Sequence, residues 1–531
     1  MVYHEEPNER QPLLLRDALE DPIDSERHES IIPKAHSPNV IIAIAITIVF
    51  ILEFASMLMK IPSLRIYEDI ICHRYYEHLS GVGHIGLNGK IDEGMCKGDE
   101  VQNELNLILG VEQFVIAIPG LLVVIPYGLL ADRIGRKPIF LLILVGYILS
   151  GLWTLNVMWF WEKLPLRLVW LSPVFQLIGG GDAVARVVFY AIATDVTTEQ
   201  TRSNVFLITM CAGQVASIIA PAMAAISMTH SPWIPVIVGY TILVFGSCLI
   251  FFVPETLHLH SGGAVLVADD FNREASPDGR VPLAKTLQSH INGGLQKLRE
   301  SASIMTLPIV ILLLTFLTQP FSIQASEVFP RYISKRFSWT LARTGYLVSL
   351  RSAWSIAVLI AVIPSISHVL ITRYNYTSKA KDLLLARASI FFLFLGTLCI
   401  AASPTISLTV IGLIIYTFGA GFIALCRAVI TTLVDKEHVA RLYAAIALVE
   451  TVGTLAASPT LAGLYSLGMK LKGPFIGLPF FFLAFILFLA GLGMWAFGIL
   501  AAGKSNVERE SQSQTDTAVD TDDEDELQYT V

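Results

Sequence analysis

Residues 128–137 read Gly-Leu-Leu-Ala-Asp-Arg-Ile-Gly-Arg-Lys and separate two long apolar runs, 105–129 and 138–158. Basic residues beside membrane-spanning segments are typical of the cytosolic face of a membrane protein. Gly135 permits a tight turn, and Asp132, at the end of a helix, can cap backbone donors or pair with an arginine. The stretch therefore predicts a short, charged cytosolic turn between two spans.

Apolar runs dominate the rest of the chain. Of its 531 residues, 54% are hydrophobic and only 15% are charged, whereas a soluble globular chain carries roughly 25% charged residues. A helix that crosses a bilayer needs about 20 mostly apolar residues. Twelve runs meet this requirement: 38–60, 105–129, 138–158, 168–193, 204–228, 233–253, 304–330, 342–366, 384–403, 405–430, 441–467 and 474–500. This pattern excludes a nucleic-acid-binding protein, a disordered scaffold and most soluble enzymes.

Two polar stretches interrupt the runs. Residues 61–104 are predicted to form an outer loop, and residues 254–303, rich in Gly, Ser, Asp and His, are predicted to form a cytosolic linker. The linker divides the chain into six-helix halves, 38–253 and 304–503. The sequence thus predicts an all-α membrane protein with twelve transmembrane helices in two pseudo-symmetric halves.

A repeated pattern of residues indicates that the halves arose by duplication. Five residues of one half recur in the same order in the other at offsets of 238 to 241, although chance spacing of common residues is the alternative. The two series are Gly181, Arg186, Asp195, Arg202 and Pro221, and Gly421, Arg427, Asp435, Arg441 and Pro459.

Both ends of the chain are acidic. Residues 1–37 carry a net charge of −5 and residues 504–531 a net charge of −7, which leaves a net +5 on residues 38–503. With an even number of spans, both tails lie on one side, and the basic turn predicts that this side is cytosolic. The location is predicted to be the plasma membrane or a vacuolar or endosomal membrane, and an acidic dileucine pattern at residues 9–14 is the feature that fits the second.

The basic turn resembles the signature loop of the major facilitator superfamily, and the resemblance covers roughly residues 38–500. It implies the major facilitator fold, in which this loop helps to lock the cytosolic side when the carrier opens outward. The matching positions would carry that gating role here: Gly128, Asp132, Arg133, Gly135, Arg136 and Lys137.

Two other motifs of that family are only partly present. Phe175 occupies the place where the family expects an arginine before the glycines of span four, so the proton-linked role of that arginine cannot be transferred. In span five, alanines replace the glycines of the antiporter motif. They preserve a small packing surface and favour an exporter over an importer. The residues concerned are Ala216, Ala220, Pro221, Ala224 and Ala225.

A short segment narrows the resemblance further. Residues 66–72 read Ile-Tyr-Glu-Asp-Ile-Ile-Cys, and Cys96 follows in the same predicted loop. The segment is similar to a fungal group of drug-efflux and secondary-metabolite transporters, and more distantly to the animal proton-coupled folate carriers. An oxidising compartment would allow Cys72 and Cys96 to form a disulfide, with two free thiols as the alternative.

Few ionisable residues lie inside the predicted spans, and each is a functional candidate because a charge at the bilayer centre is costly. They are Glu53, Glu112, Asp182, Arg186, Arg351, Arg427 and Glu450. None lies at depth in spans three, six, nine or twelve, the helices that the resemblance places at the periphery.

The embedded charges have structural and functional interpretations. Asp182 and Arg186, four residues apart, can pair on one helix, and Arg186 and Arg427 occupy equivalent places of the repeat, which favours a network near the inner face. A carboxylate in a low-dielectric cavity binds a proton more readily than one in water. Proton carriage or an ion-paired structural role is therefore open to three carboxylates: Glu53, Glu112 and Glu450. Three glutamines can orient a substrate or join helices: Gln113, Gln214 and Gln319.

These features together predict a monomeric secondary transporter in the lipid bilayer that exports a hydrophobic small molecule in exchange for protons. An importer of a nutrient or vitamin-like anion, neutralised by Arg351 and Arg427, is one alternative. A transport-inactive sensor on a carrier scaffold is another. All twelve histidines lie outside the spans and no phosphate-binding loop occurs, so we expect no enzymatic activity, cofactor, metal or nucleic-acid partner.

Overall fold

The computed structural model describes residues 38–80, 91–197, 199–256, 307–431 and 439–498. Within these residues the chain is helical and contains no strand. The two acidic tails, the dileucine pattern and nearly all of the predicted linker lie outside the described residues.

The helices of the first half are joined mostly by short turns. They are α1 (Pro38–Ser80), α2 (Asp99–Ile134), α3 (Arg136–Trp159), α4 (Ser172–Phe175), α5 (Gly181–Asp195), α6 (Glu199–Met228) and α7 (Trp233–Ser247).

The second half repeats this arrangement with more interruptions. Its helices are α8 (Leu307–Thr315), α9 (Thr318–Phe337), α10 (Leu341–Ala357), α11 (Ile363–Thr372), α12 (Ser378–Ala402), α13 (Ile406–Thr417), α14 (Phe422–Thr431), α15 (Val439–Leu471) and α16 (478–498).

In the described chain, eleven helical stretches are long and apolar enough to cross a bilayer. The remaining predicted span, 168–193, is not one continuous helix. It consists of a 3₁₀ turn and α4, a break at residues 176–180, and α5. Three consecutive glycines lie at the end of this break: Gly179, Gly180 and Gly181. All three have a positive φ, a backbone conformation that residues with an L side chain rarely adopt.

The glycines of the break also allow close packing. A Cβ on Gly179 would overlap the backbone of Ile143 in α3, and a Cβ on Gly146 would overlap the carbonyl of Ile178. Tyr127 of α2 donates a hydrogen bond to the carbonyl of Leu177 at 3.1 Å. The break is thus packed against α3, and Tyr127 of α2 supplies one of the hydrogen bonds that an interrupted helix loses inside a membrane.

A second break lies at residues 418–421 between α13 and α14, in the tenth predicted span. It ends at Gly421, the residue that the predicted repeat pairs with Gly181. The two halves are therefore interrupted at equivalent places of that repeat.

The loop predicted at 61–104 is largely helical at both ends. Helix α1 continues through Ser80, and α2 begins at Asp99, so the prediction of a loop is wrong for these parts. The apolar run ends at Lys60, yet the helix keeps a buried face, with Ile61, Leu64, Tyr67 and Ile71 at helical spacing. A count of apolar residues misses such an amphipathic extension.

Each half has its own core. One cluster of buried apolar side chains lies entirely between residues 309 and 497, and two others are built almost wholly from residues of the first half. The alanines of α6 are buried between helices: Ala216, Ala220, Ala224 and Ala225. Small residues at such positions let helices approach closely.

The first half has two distinguishable ends. The turn at residues 135–137 lies at one end, here called the motif end. Cys72 and Cys96 lie at the other, and their sulfur atoms form a disulfide with the Cα atoms 5.3 Å apart. We call this the disulfide end.

Candidate functional site

The turn at the motif end is built around one carboxylate. Gly135 has a φ of 110°, and a Cβ there would overlap the carboxylate of Glu255. This carboxylate accepts hydrogen bonds from the backbone N–H groups of Arg136, at 2.8 Å, and Lys137, at 3.1 Å. It therefore caps the N-terminus of α3, where free donors and the helix dipole favour a negative charge.

Further contacts tie this turn to the ends of two neighbouring helices. Arg136 pairs with Asp195 at the end of α5, with 3.4 Å between Nε and Oδ2. Thr256 donates a hydrogen bond to the same carboxylate at 3.3 Å. The Lys137 ammonium donates to the carbonyl of Phe251 at 3.0 Å. The motif end is thus one network that joins α3, α5 and the chain after α7.

Two predicted gating residues, Arg133 and Gly128, are not among these contacts. The Arg133 side chain is exposed, and Gly128 has open space where a Cβ would stand. The side chain of Asp132 lies outside the described residues.

A cluster of polar residues follows the break in the fourth span. Asp182 and Arg186 form an ion pair with 3.8 Å between the charged atoms, and their side chains are 74% and 67% exposed in the protein. Tyr147 of α3 donates a short hydrogen bond to Asp182. Glu53 of α1 lies within electrostatic range of both members of the pair. The sequence-predicted pair and one of the three carboxylates therefore lie together in the first half.

Glu112 lies apart from that cluster, on α2. It forms no hydrogen bond or ion pair with any residue that the structure describes. Tyr67 of α1 is within electrostatic range of its carboxylate. Glu112 is thus a carboxylate inside a span whose charge is not balanced by a neighbouring cation in the described chain.

In the second half, an arginine and a carboxylate of the candidate set form a pair. Arg427 of α14 donates a hydrogen bond to Glu450 of α15 at 2.7 Å, and its guanidinium lies 6.0 Å from the centre of the Phe316 ring. Arg351 of α10 instead donates to the hydroxyl of Ser326 in α9, at 2.5 Å. Glu450 therefore neutralises Arg427, and Arg351 has no carboxylate partner among the described residues.

The three candidate glutamines lie in α2, α6 and α9: Gln113, Gln214 and Gln319. Their side chains make no hydrogen bond with another residue in the described part of the chain. The amide oxygen of Gln319 is buried without a partner there. Within the described residues, therefore, none of the three joins two helices through a side-chain hydrogen bond.

A network at the disulfide end was not predicted from the sequence. Glu68, which is 1% exposed, accepts hydrogen bonds from Lys97 at 2.7 Å and Gln102 at 2.6 Å. Lys97 also pairs with Glu93 at 3.0 Å. The disulfide between Cys72 and Cys96 covalently joins this loop to α1. It therefore restricts the movement of Glu93 and Lys97 relative to Glu68.

The second half docks onto this loop. Lys335 of α9 pairs with Asp99, with 2.6 Å between Nζ and Oδ1, and donates a second, short hydrogen bond to the carbonyl of Lys97. The backbone N–H of Leu341, at the start of α10, donates to Glu93 at 2.8 Å. These contacts close the two halves against each other at the disulfide end.

Deeper contacts between the halves involve polar residues in spans. Lys60 of α1 pairs with Glu327 of α9 at 2.5 Å. Arg331 of α9, only 4% exposed, donates to Asn106 of α2 at 2.9 Å. Asn106 in turn donates to the hydroxyl of Ser466 in α15 at 2.9 Å. One helix of the first half and two of the second therefore meet at the side-chain amide of Asn106.

The residues of these contacts were not predicted from the sequence, because no local pattern in the sequence indicates their partners. Glu68 and Lys335 fall outside the apolar runs, and Glu255 caps a helix that begins 119 residues earlier in the chain. The available signal was the position of Glu68 four residues before Cys72, and of Glu255 two residues after span six. Neither position names a partner.

Comparison with known proteins shows which family has this architecture. A family model described as Major Facilitator Superfamily matches residues 101–458. The MFS efflux pump atnC of Emericella nidulans is 29% identical over 436 residues, which cover 81% of this chain and 82% of that protein. The efflux pump ustT of Aspergillus flavus is 29% identical over 455 residues, which cover 83% of this chain and 85% of that protein.

A solved structure shows the same fold. The crystal structure of a D-xylose-proton symporter superposes with a TM-score of 0.56 at 12% identity, covering 86% of this chain and 97% of that chain. The fold class and the resemblance inferred from the sequence are thereby confirmed. Because the family match spans more than half of the sequence, the chain belongs to the Major Facilitator Superfamily and is a multi-pass membrane transporter.

Proposed function

We propose that this transporter exports a hydrophobic small molecule in exchange for protons. The relatives named efflux pumps support the direction of transport. The alanine-lined face of α6 supports it too, since it preserves the small packing surface of an antiporter motif. The mostly apolar spans suit a hydrophobic substrate, because drug-sized ligands bind in largely apolar cavities with a few polar groups.

The observation that carries the proton part of the proposal is the isolation of Glu112. Glu450 is held by Arg427 at 2.7 Å, and a carboxylate in such a pair is poorly placed to take up and release a proton. Glu112 has no cation beside it in the described chain. Embedded carboxylates of this kind act as proton relays in transporters. Glu112 can change its protonation as alternating access moves it between water and a closed cavity.

Glu53 has a different role in this mechanism from that of Glu112. It lies within electrostatic range of Asp182, Arg186 and Lys60, so a change in its charge is felt by the pair beside the break in span four and by the contact between the halves. Glu53 thus connects protonation to the region that must move. We assign it a coupling role, with Glu112 as the main proton carrier.

The contacts between the halves suggest how access alternates. The closed disulfide end must open when the Lys335–Asp99 and Lys60–Glu327 pairs separate. The motif end, with its capped turn, then closes against the second half. Rocking of one half against the other around a central site is the motion expected of this architecture.

We place both tails in the cytosol, because the basic turn favours that side, and assign the protein to the plasma membrane or a vacuolar or endosomal membrane. A fluorescent fusion at each terminus tests this. Both fluorophores should be quenched by an impermeant quencher only after the membrane is opened, and quenching of intact cells would contradict the assignment.

Transport by inside-out vesicles tests the proposed function. The vesicle lumen is made acidic, and a panel of neutral, cationic and anionic dyes is added outside: Nile red, rhodamine 6G and fluorescein. We expect at least one dye to accumulate in the lumen, and a protonophore to abolish the accumulation. The Glu112→Gln variant should lose it as well. Glu104→Gln is the matched control, because Glu104 lies on the same helix in an exposed pair with Arg167.

Two outcomes would contradict the proposal. If no dye accumulates, or if accumulation survives the protonophore, proton-driven export is wrong. If Glu112→Gln and Glu104→Gln transport equally well, Glu112 is not the proton carrier.

A further inference from the structure

An arginine interrupts an exposed apolar surface of the second half. Helices α12 and α16 pack side by side, with the ring centres of Phe394 and Phe488 5.7 Å apart. Each helix presents a row of exposed apolar side chains at helical spacing: Leu384 and Phe391 on α12, and Phe485, Phe488, Leu492 and Trp495 on α16. Arg387 falls within the α12 row, one turn from both of its members. The family resemblance places these two spans at the periphery, so both rows face lipid.

The guanidinium of Arg387 is held on α16. Its central carbon lies 4.6 Å from the centre of the Trp495 ring. Its Nη2 atom donates to the carbonyls of Met494 and Trp495 at 3.5 and 3.4 Å, beyond the usual length of such bonds. A Cβ on Gly498 would overlap the guanidinium, so this glycine leaves room for it. Stacking on a tryptophan orients a guanidinium without neutralising it.

Arg387 therefore keeps an unbalanced charge and free donors. It forms no ion pair with any residue that the structure describes. The N–H groups of its Nη1 atom have no acceptor among those residues, and its Nε atom is buried without a partner there. A charge in a membrane span is costly unless it is paired or solvated. An anionic group from the surrounding lipid would supply the missing partner.

The chain that leads into α12 adds to the positive charge. Residues 373–387 contain four basic residues and one acidic residue. The acidic residue, Asp382, pairs with the neighbouring Lys381 at 3.0 Å. Arg373 is exposed and forms no ion pair within the described residues, and the exposed Tyr374 follows it. Basic and aromatic residues at the edge of a membrane attract and anchor to anionic lipid headgroups.

Arg387 points away from the disulfide end. Ala401, near the end of α12, packs against Gly477, and Lys472 lies 3.8 Å from Asp99 of the disulfide end. Arg387 lies about 21 Å back along α12, and helical side chains tilt toward the N-terminus of their helix. In the topology proposed above, the guanidinium therefore reaches into the cytosolic leaflet, where anionic phospholipids give the membrane its negative surface potential.

We propose that Arg387 binds the headgroup of an anionic phospholipid whose acyl chains lie along the exposed rows of α12 and α16. Trp495 holds the guanidinium in place, and the free N–H groups of Nη1 donate to the headgroup oxygens, as arginine does to phosphate elsewhere. The lipid site does not depend on the direction of transport or on proton coupling. Only the choice of leaflet rests on the proposed topology.

Native mass spectrometry of the purified full chain in detergent tests the proposal. The protein is titrated separately with dioleoyl-phosphatidylserine and with dioleoyl-phosphatidylcholine, which has the same chains and phosphate but no net charge. We expect the first phosphatidylserine to bind about fivefold more tightly, the factor that corresponds to one basic residue near an anionic surface. Free O-phosphoserine at the same concentration should not displace the lipid, because it lacks the chains that contact the two helices.

Variants identify the residues responsible. Arg387→Gln should remove the preference for phosphatidylserine, and Arg387→Lys should keep part of it. Trp495→Leu, which keeps an apolar side chain without the ring, should reduce it. Arg343→Gln is the matched control, because it removes an exposed arginine from α10 of the same half, and it should leave the preference unchanged. Monodisperse elution of each variant shows that it is folded.

A purely structural role for Arg387 predicts different results. If Arg387 only binds the carbonyls at the end of α16, Arg387→Gln lowers the unfolding temperature and the preference for phosphatidylserine remains. That result, equal binding of the two lipids by the wild type, or displacement by O-phosphoserine would overturn the proposal. If Arg387→Gln does not fold, an unchanged preference in Trp495→Leu overturns it instead. None of these measurements involves transport, so their failure leaves proton-driven export standing, and a failure of dye accumulation leaves the lipid site standing.

Discussion

Arg427 and Glu450 form an ion pair inside the membrane-spanning region, and this pairing reduces the energetic cost of burying each charge there. Their charged atoms are 2.7 Å apart, and the side chains are 39% and 25% exposed. Such a pair lies between surface pairs, worth up to about 1 kcal/mol, and buried pairs, whose disruption costs about 3–5 kcal/mol. We attribute a structural role to it.

Arg427→Gln and Glu450→Gln should each lower the free energy of unfolding of the purified protein by about 1–3 kcal/mol. The double variant should recover part of this loss, because neither charge is then left alone. Thermal unfolding of the four proteins in detergent forms a double-mutant cycle. Strictly additive losses would show that the two residues do not interact.

At the same scale, local spacing predicted some of the site and missed the rest. Asp182 and Arg186 lie one helical turn apart, so their pairing follows from the helical repeat. Arg136 and Glu255 are 119 residues apart, and no local pattern indicates that they meet. Gly135 was recognised as a turn residue, whereas the carboxylate that occupies the space beside it was visible only in the fold.

At the scale of elements, the break in the fourth span is the least regular part of the first half. It presents Asp182 on the first turn of α5, beside Tyr147 of α3. Hydropathy predicted an uninterrupted span over 168–193, because a window of apolar residues does not register the conformation of three glycines. Hydropathy likewise did not register the turn at residues 418–421 that interrupts the tenth predicted span. The number of spans was therefore easier to predict than their continuity.

Gly179→Ala should disturb this break. An L residue in the left-handed region costs about 1–2 kcal/mol, and its Cβ would also overlap the backbone of Ile143. We expect a lower unfolding temperature and reduced dye transport. Gly463→Ala is the control, because a Cβ there meets no atom within 4 Å. Equal behaviour of the two variants would show that the break is not a fixed structure.

At the scale of the whole molecule, the two halves are held together at the disulfide end by charges on a covalently fixed loop. Lys335 is the contact from the second half that reaches both Asp99 and the backbone of Lys97. Its loss should open this end more often.

Lys335→Gln should increase the labelling of a buried position at the interface. Ser458, which is 2% exposed and donates to the carbonyl of Gly110 at 2.9 Å, is replaced by cysteine after the four free cysteines have been changed to alanine. An impermeant maleimide added to intact cells should label it several-fold faster in the Lys335→Gln background. Arg343→Gln is the control. An unchanged rate would show that Lys335 does not hold this end closed.

The central claim is that a proton crosses the membrane with each exported molecule and that Glu112 carries it. A pH-sensitive dye trapped in inside-out vesicles measures this directly when a transported fluorophore from the panel is added outside. The account predicts that the lumen becomes alkaline for the wild type and for Glu104→Gln. For Glu112→Gln, the lumen pH should not change while the fluorophore still exchanges across the membrane. Equal alkalinisation by Glu112→Gln, or transport by the wild type without any change in lumen pH, would contradict the account.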